Sequence, residues 1–372
     1  MLRTITIRLY PTKEQEILFK KHIGAMRYVY NWALDKNNKL YKEENKKYSS
    51  FELSKQLTQY KKECLWLNEV SSATIRESIR NLDKAYTNFY KGRANLPKFK
   101  SKKHSKESFY SRYEKIYFKE EVVNLEKIGK VKYKSSYDID LTKISKFSNP
   151  HVSFNGRCWV LTVGIEMDNT IEQLINESLG IDLGIKELAI CSNNMTFPNI
   201  NKGYVIKKLE KKLSRLQRKV SKKYENNKLG NKYNKTCNII KLEKRIKKLH
   251  RKLYNIRQNY IHQVTSTIVK TKPCRVVMED LNIKDMMKNK HLSKSIQQQK
   301  LYEFIRQMKY KCEFNGIEFI QVDRFYPSSK TCSHCGHIKK DLKLSDRTYI
   351  CKECGLVIDR DLNASINLAN YR

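Results

Sequence analysis

Four cysteines and three acidic residues carry the chemistry open to this chain. Cys332-Ser-His-Cys335 and Cys351-Lys-Glu-Cys354 are two Cys-x-x-Cys pairs with fifteen residues between them, and a glycine follows each (Gly336, Gly355). Two residues between thiolates let both sulfurs reach one ion at about 2.3 Å, and glycine permits the tight turn that aims backbone amides at sulfur. The pattern predicts a four-thiolate Zn²⁺ site. Four thiolates complete a tetrahedron without His334 or His337, and a closed site of that kind is structural, so catalysis must lie elsewhere.

The acidic residues stand where strands or helices should begin or end. Asp182 precedes Leu183-Gly184, Glu279 closes the run Val276-Val-Met278, and Asp361 opens a segment carrying Leu362, Ile366 and Ala369 at helical spacing. Singly they read as a turn former, a strand-end charge and a helix cap. Together they are the ligands that hard divalent ions require. Two Mg²⁺ or Mn²⁺ ions about 3.5 to 4 Å apart can activate a water and stabilise the leaving oxygen of a phosphodiester. Asp280, Asp323 and Asp359 lie close enough in sequence to substitute.

The elements around them read as α/β. Gly180-Ile-Asp-Leu-Gly184 and Leu188-Ala-Ile190 suggest neighbouring strands, with further strands at Arg275-Val-Val-Met278 and Ile317-Glu-Phe-Ile-Gln-Val322 and helices between. Between residues 201 and 260 stand 21 Lys and Arg against three Glu. Leu209, Leu213, Leu216 and Val220, then Leu242, Ile246, Leu249, Leu253, Ile256 and Tyr260, recur at helical spacing. Two helices joined near Asn226 to Asn234 should therefore pack as a hairpin with the cations outside. A merely solvated helix mixes signs; this one repels itself unless phosphates neutralise it.

The first half divides differently. Ile5, Ile7 and Leu9 alternate as in a half-buried strand, Pro11 stops it, and Thr12 with Gln15 forms a capping box. Ile23, Met26, Tyr30 and Leu34, then Ile75, Ile79, Leu82, Tyr86 and Phe89, mark helices to about residue 92. The basic stretch Leu96 to His104, with Pro97, ends that region. From there to about 166 the period is two. Asn155-Gly156 should turn a hairpin into the strand of Trp159, Leu161, Val163 and Ile165, and this β block should pair with the first strand.

Composition sets the partner. The 372 residues carry a formal charge of +38, far more than solubility demands, which implies a polyanion. With 40% apolar residues the chain can bury a core. It contains no run of the ~18 apolar residues that a membrane span needs, and its start lacks the apolar block of a secretion signal. An intracellular protein is expected. The six scattered cysteines, Cys64, Cys158, Cys191, Cys237, Cys274 and Cys312, then read as small buried hydrophobes.

These motifs together resemble the TnpB family, the OrfB-type proteins of bacterial insertion sequences, related to single-effector type V CRISPR nucleases. The resemblance runs through Ile7-Arg-Leu-Tyr-Pro-Thr12, Gly24-Ala-Met-Arg-Tyr-Val-Tyr-Asn31 and Pro97-Lys-Phe-Lys-Ser-Lys102. It continues through Gly180-Ile-Asp-Leu-Gly-Ile-Lys186 and Met278-Glu-Asp-Leu-Asn-Ile283. It closes with Asp323-Arg-Phe-Tyr-Pro-Ser-Ser-Lys-Thr-Cys-Ser-His-Cys-Gly336 and Asp359-Arg-Asp-Leu-Asn-Ala-Ser365. Leu96 stands where that family's motif leads one to expect glycine.

The resemblance implies an RNase H-like RuvC nuclease core with an inserted zinc ribbon, plus a β-rich wedge module interrupted by a helical recognition module. On that layout residue 1–12 is a wedge strand, 13–95 the recognition module and 96–170 the rest of the wedge. Residues 171–327 are the first nuclease part, with the basic hairpin at about 204–262, followed by the ribbon at 328–357 and the final nuclease segment at 358–372. Asp182, Glu279 and Asp361 become the catalytic Mg²⁺ or Mn²⁺ ligands, which demotes Asp280 and Asp359. Cys332, Cys335, Cys351 and Cys354 become the Zn²⁺ ligands. The implied partners are a guide RNA and double-stranded target DNA with a short adjacent motif, in the bacterial cytoplasm at the nucleoid, with no membrane and no small-molecule substrate. Lys98, Lys100, Lys102, Lys103, Lys208, Lys211, Arg215, Arg218, Lys248, Arg251 and Lys252 are the candidate phosphate contacts. Two other readings stay open: a transposase performing strand transfer, since RNase H-like transposases also use three carboxylates, and a regulator that binds nucleic acid without cutting it.

Overall fold

A computed structural model describes residues 2–371 except 104, 138–139, 145, 167–172, 231 and 344–345. The chain divides into two units, Met1–Asp168 and Asn169–Arg372. The module boundary expected at residue 170 and His104 of the basic stretch lie outside the described residues.

In the first unit, β1 (Leu2–Tyr10) buries Ile5, Ile7 and Leu9 on one face, as the alternation requires. Thr12 caps α1 (Lys13–Glu44): its hydroxyl accepts from the Gln15 amide at 3.2 Å while the Gln15 side chain accepts from the Thr12 amide at 3.0 Å. α2 (Ser50–Glu63) and α3 (Ser72–Tyr90) follow. Ala25, Val29, Ala33 and Leu34 of α1 share a core with Leu53, Leu57, Ile75, Ile79 and Leu82. Phe89, the last member of the α3 periodicity, is 36% exposed because that core ends a turn earlier.

Six short strands complete the unit: β2 (Ser108–Tyr110), β3 (Tyr117–Lys119), β4 (Val122–Leu125), β5 (Gly129–Lys134), β6 (Phe147–Phe154) and β7 (Trp159–Glu166). They form one sheet with β1 in the order β2-β6-β7-β1-β5-β4-β3. β1 runs antiparallel to β7 over its whole length and to β5 at its end. The β6–β7 connection is wider than the tight turn expected of Asn155-Gly156. Only Gly156 takes positive φ, and the Asn155 side chain instead accepts from the Arg157 and Cys158 amides.

The second unit is built on a five-stranded sheet. β8 (Ile175–Leu183), β9 (Glu187–Cys191) and β10 (Thr196–Pro198) precede α4 (Tyr204–Glu225), the two-residue strands β11 (Lys228–Leu229) and β12 (Lys232–Tyr233), and α5 (Cys237–Lys270). Then come β13 (Pro273–Glu279), α6 (Ile283–Met286), α7 (Ser293–Gln299), α8 (Leu301–Phe314), β14 (Glu318–Val322), β15 (Thr348–Ile350), β16 (Val357–Asp359) and α9 (Arg360–Ala369). The sheet order is β10-β9-β8-β13-β14, with β8, β13 and β14 mutually parallel and β9 antiparallel to β8.

Both faces of this sheet are covered, which is why its central strands read as apolar runs. Leu179, Ile181, Val276 and Met278 pack on Ile261, Val264 and Ile268 of α5 and Phe304 and Met308 of α8. The alternate residues Val277 and Val322 meet Leu368 of α9. The α4–α5 hairpin forms with Ile206, Leu213 and Leu253 buried along its seam beside Leu209, Ile246, Leu249 and Ile256. The small β11–β12 ribbon at its tip had no hydrophobic signature to announce it. Of the scattered cysteines, Cys191 and Cys312 are buried and Cys64, Cys158 and Cys274 half-buried, but Cys237, the first residue of α5, is exposed and is not a core residue.

Candidate active site and cysteine cluster

The three carboxylates come from three elements of the second unit. Met278 of β13 pairs with Ile181 of β8 in parallel register, and the next residue on each strand is Glu279 and Asp182. Parallel neighbours in register present side chains to the same face. That face is the one α9 covers, because Gly180 lies two residues before Asp182 and a Cβ there would meet the Ser365 carbonyl at 1.9 Å and the Ala369 amide at 2.4 Å. Glycine at 180 lets α9 cross against bare backbone. Asp359 caps α9, its carboxylate accepting from the Asp361 and Leu362 amides at 3.0 Å each, and Asp361 falls in the first turn beside the strand ends.

The charges feel one another. Burial, then Glu279, then Asp361 push the Asp182 carboxyl up to about 8, although part of the residue's surface stays open. Arg360 and then Asp359 act on it more weakly, in opposite directions. Asp361 is held by Arg360, whose Nη2 donates to Oδ1 at 3.0 Å, and by Arg347 at 3.6 Å from Oδ2. The Ser328 hydroxyl donates to Glu279 Oε1. Asp280 pairs instead with Arg324 at 2.8 Å, and Asp323 accepts from the Phe325 amide at 2.8 Å. A carboxyl pushed up by burial and by two neighbouring carboxylates is the setting that a divalent cation offsets.

The cysteines form a different kind of centre. The sulfurs of Cys332, Cys335, Cys351 and Cys354 lie within 4.8 Å of one another, and among the described residues no other set of three or more His, Cys, Asp or Glu ligands is drawn so close. The two loops repeat one pattern. The Gly336 amide donates to the Cys332 carbonyl at 3.0 Å and the Cys332 amide to that of His337 at 2.8 Å; Gly355, Cys351 and Leu356 do the same at 3.2 and 2.9 Å. Both glycines take positive φ, 77° and 70°. The Cys354 and Glu353 amides help to pull the Cys351 thiol down to about 6. Against the pull of the His337 amide, burial and the other three thiols push Cys335 up to about 12. Four soft donors that cannot all ionise unaided suit Zn²⁺. The His337 ring lies 4.0 Å from the Glu353 carboxylate.

Lys208, Lys211, Arg215, Arg218, Lys248, Arg251 and Lys252 all lie exposed on the hairpin. Two of its Glu residues are committed internally, Glu210 to Arg257 at 2.6 Å and Glu243 to Lys235 at 2.5 Å. In the first unit Lys98, Lys102 and Lys103 are exposed. Lys100 is exposed as well, with its ammonium 3.7 Å over the Tyr30 ring and its backbone amide and carbonyl both paired with the Asn31 side chain. Gly180 and Ser328 both fall within motifs quoted above, but sequence reasoning gave neither a role: the partners of Gly180 lie almost at the other end of the unit, and the bond from Ser328 to Glu279 depends on the fold.

Three family models match the chain. Residues 163–290 match one described as "Probable transposase" of the OrfB type, residues 302–368 a Cas12f1-like TNB domain, and residues 1–47 a helix-turn-helix domain. The last description does not fit the backbone, where residues 2–10 are a strand and 13–44 one helix. The solved Cas12f1–sgRNA–target DNA complex shares the fold, with a TM-score of 0.61 at 15% identity over 100% of this chain and 99% of that one. The fold is thus that of the Cas12f1 chain in that complex, mixed α/β with a clustered set of four cysteines. In sequence the chain is similar to OrfB-type, TnpB-like proteins. It is 28% identical to "Putative RNA-guided DNA endonuclease InsQ" of Escherichia coli K12, over 99% of this chain and 91% of the relative. It is 29% identical to a Streptomyces pristinaespiralis protein of the same description, over 98% and 88%. No described helix is long and apolar enough to cross a membrane.

Proposed function

We propose that the protein is an RNA-guided DNA endonuclease of a transposable element, in which the sheet around β8 and β13 is a RuvC-type, RNase H-like nuclease core. Asp182, Glu279 and Asp361 hold the divalent ions, Mg²⁺ or Mn²⁺, which when bound supply an activated water and stabilise the leaving oxygen. The observation that carries this reading is the convergence of the three carboxylates, with Asp182 driven up by burial and by Glu279 and Asp361, the setting in which a divalent cation favours the charged form. The cysteine cluster holds a structural Zn²⁺.

The partners follow from the relatives' descriptions and from the charge. Guide RNA and double-stranded target DNA occupy the exposed cations of the hairpin and of residues 98–103, with the first unit acting as recognition and wedge modules. The protein works in the bacterial cytoplasm, at the nucleoid. Purifying it with its co-expressed RNA and offering DNA matched to that RNA tests the proposal. Cutting should require Mg²⁺ or Mn²⁺, stop with EDTA and vanish in Asp182→Ala, while RNA binding survives; a mutant that still cuts refutes the assignment.

A second reading draws on the family model described as a transposase. It puts the same carboxylates to strand transfer on the element's ends. Joined transposon-end products in the absence of any RNA would favour it.

A further inference from the structure

The cysteine ribbon and the acidic site share a chain of buried polar side chains. Ser328, 2% exposed, donates its hydroxyl to Glu279 Oε1, and its carbonyl accepts from Asn367 Nδ2 at 2.7 Å. Asn367 also donates to the Thr331 carbonyl at 2.7 Å, which receives a second bond from Asn363 Nδ2, again at 2.7 Å. The Oδ1 of Asn363 accepts from the amide of Ser333, the residue after Cys332, at 2.9 Å. Asn363 is 0% and Asn367 5% exposed.

Neither helix propensity nor hydrophobic packing asks for these residues. Asn is a poor helix former, and burying its amide costs free energy unless every polar atom is matched. Here both are spent on residues 328–333, the segment that leads into the first cysteine loop. Asn363 and Asn367 are four apart and so lie on one face of α9, whose first turn carries Asp361. The same segment reaches Glu279 through Ser328. A carboxylate held by one oxygen presents the other in a fixed direction, which is what a metal ligand needs from its supporting partners.

We propose that Ser328, Asn363 and Asn367 are positioning residues that register Glu279 and Asp361 against the first cysteine loop. An ion in the ribbon thereby sets how tightly the acidic site holds its own divalent ion. This rests on the nuclease reading only in taking Asp182, Glu279 and Asp361 as ligands.

The test uses the full chain without nucleic acid and Mn²⁺ alone as probe, with free Mn²⁺ read by electron paramagnetic resonance and zinc content by atomic absorption. Ser328→Ala should keep its zinc and weaken Mn²⁺ binding about tenfold, the scale of a lost hydrogen bond to a charged group. Ser328→Thr, which retains the hydroxyl, should restore it to within about twofold. Cys354→Ser should lose zinc and weaken Mn²⁺ binding similarly, and adding Ser328→Ala to it should cost little more, because both act through one chain of contacts. Unchanged Mn²⁺ affinity in Ser328→Ala, a Thr variant as weak as Ala, or additive losses would overturn the proposal. The two readings fail separately. Wild-type protein that holds Mn²⁺ through Asp182 but cuts nothing refutes only the nuclease, and cleavage with the same Mg²⁺ requirement in Ser328→Ala refutes only the positioning role.

Discussion

The two candidate metal centres of the second unit are built on opposite plans. The cysteine cluster is local: each half is a loop of a few residues, closed by its own amides and a positive-φ glycine, with the sulfurs already within 4.8 Å. The acidic centre is assembled from β8, β13 and α9, and its carboxylates stay farther apart, one forced toward its neutral form and another held by arginines. A site made of local turns can be complete before its ion arrives. A site made of distant strands exists only once β8, β13 and α9 have met, and Arg360 offsets its repulsion only in part, so an ion there bears on the register of the whole sheet.

If that contrast is right, Asp182→Ala should abolish cleavage, by about a thousandfold or more in single-turnover assays, without lowering the melting temperature of the metal-free protein. Loss of both activity and fold would break the contrast. Cys351→Ser should do the reverse locally. Hydrogen exchange should show residues 328–357 losing protection while β8 and β13 keep theirs, since a closed thiolate site supplies folding energy to its own loops.

Gly180→Ala is the sharper probe of assembly. Its new methyl would collide with the backbone of α9, so we expect about 1–3 kcal/mol of destabilisation by denaturant melts and a large loss of activity with the zinc content intact.

The pH dependence gives a smaller effect with a definite sign. Asp182 loses its proton near 4 in the unfolded chain and near 8 in the metal-free fold. The folded state therefore binds more protons between those values, and this group makes metal-free stability fall as pH rises from about 4 to 8 and level off above. Asp182→Asn should flatten that slope, as should saturating Mn²⁺. The mildest effect belongs to the hairpin. Replacing Lys208, Lys211, Arg215 and Arg218 together by Ala should reduce the salt dependence of RNA binding by up to about four counterions, with the cleavage step on bound substrate unchanged.

The same contrast explains what could be read in advance. The cysteine pairs, the capping box at Thr12 and the hairpin seam are patterns within a few turns of chain, and each appears where spacing put it. The strands around Asp182 and Glu279 were visible as apolar runs. Their register, and the face that α9 covers, were not, because these depend on contacts such as Gly180 with Ser365 between residues far apart in the chain. Ser328, Asn363 and Asn367 carry no periodicity. The placing of the Lys100 ammonium over the Tyr30 ring has no mark in the sequence. The Asn155-Gly156 turn and the exposure of Cys237 and Phe89 were settled by neighbours rather than by propensity.

The dependence of β8 on α9 has a bearing on synthesis. Asp182 leaves the ribosome nearly half the gene before Asp361, and the groove over Gly180 stays bare until α9 is made. A chain that ends between β13 and α9 thus carries Asp182 and Glu279 without Asp361, and by the reading proposed above its metal site is incomplete.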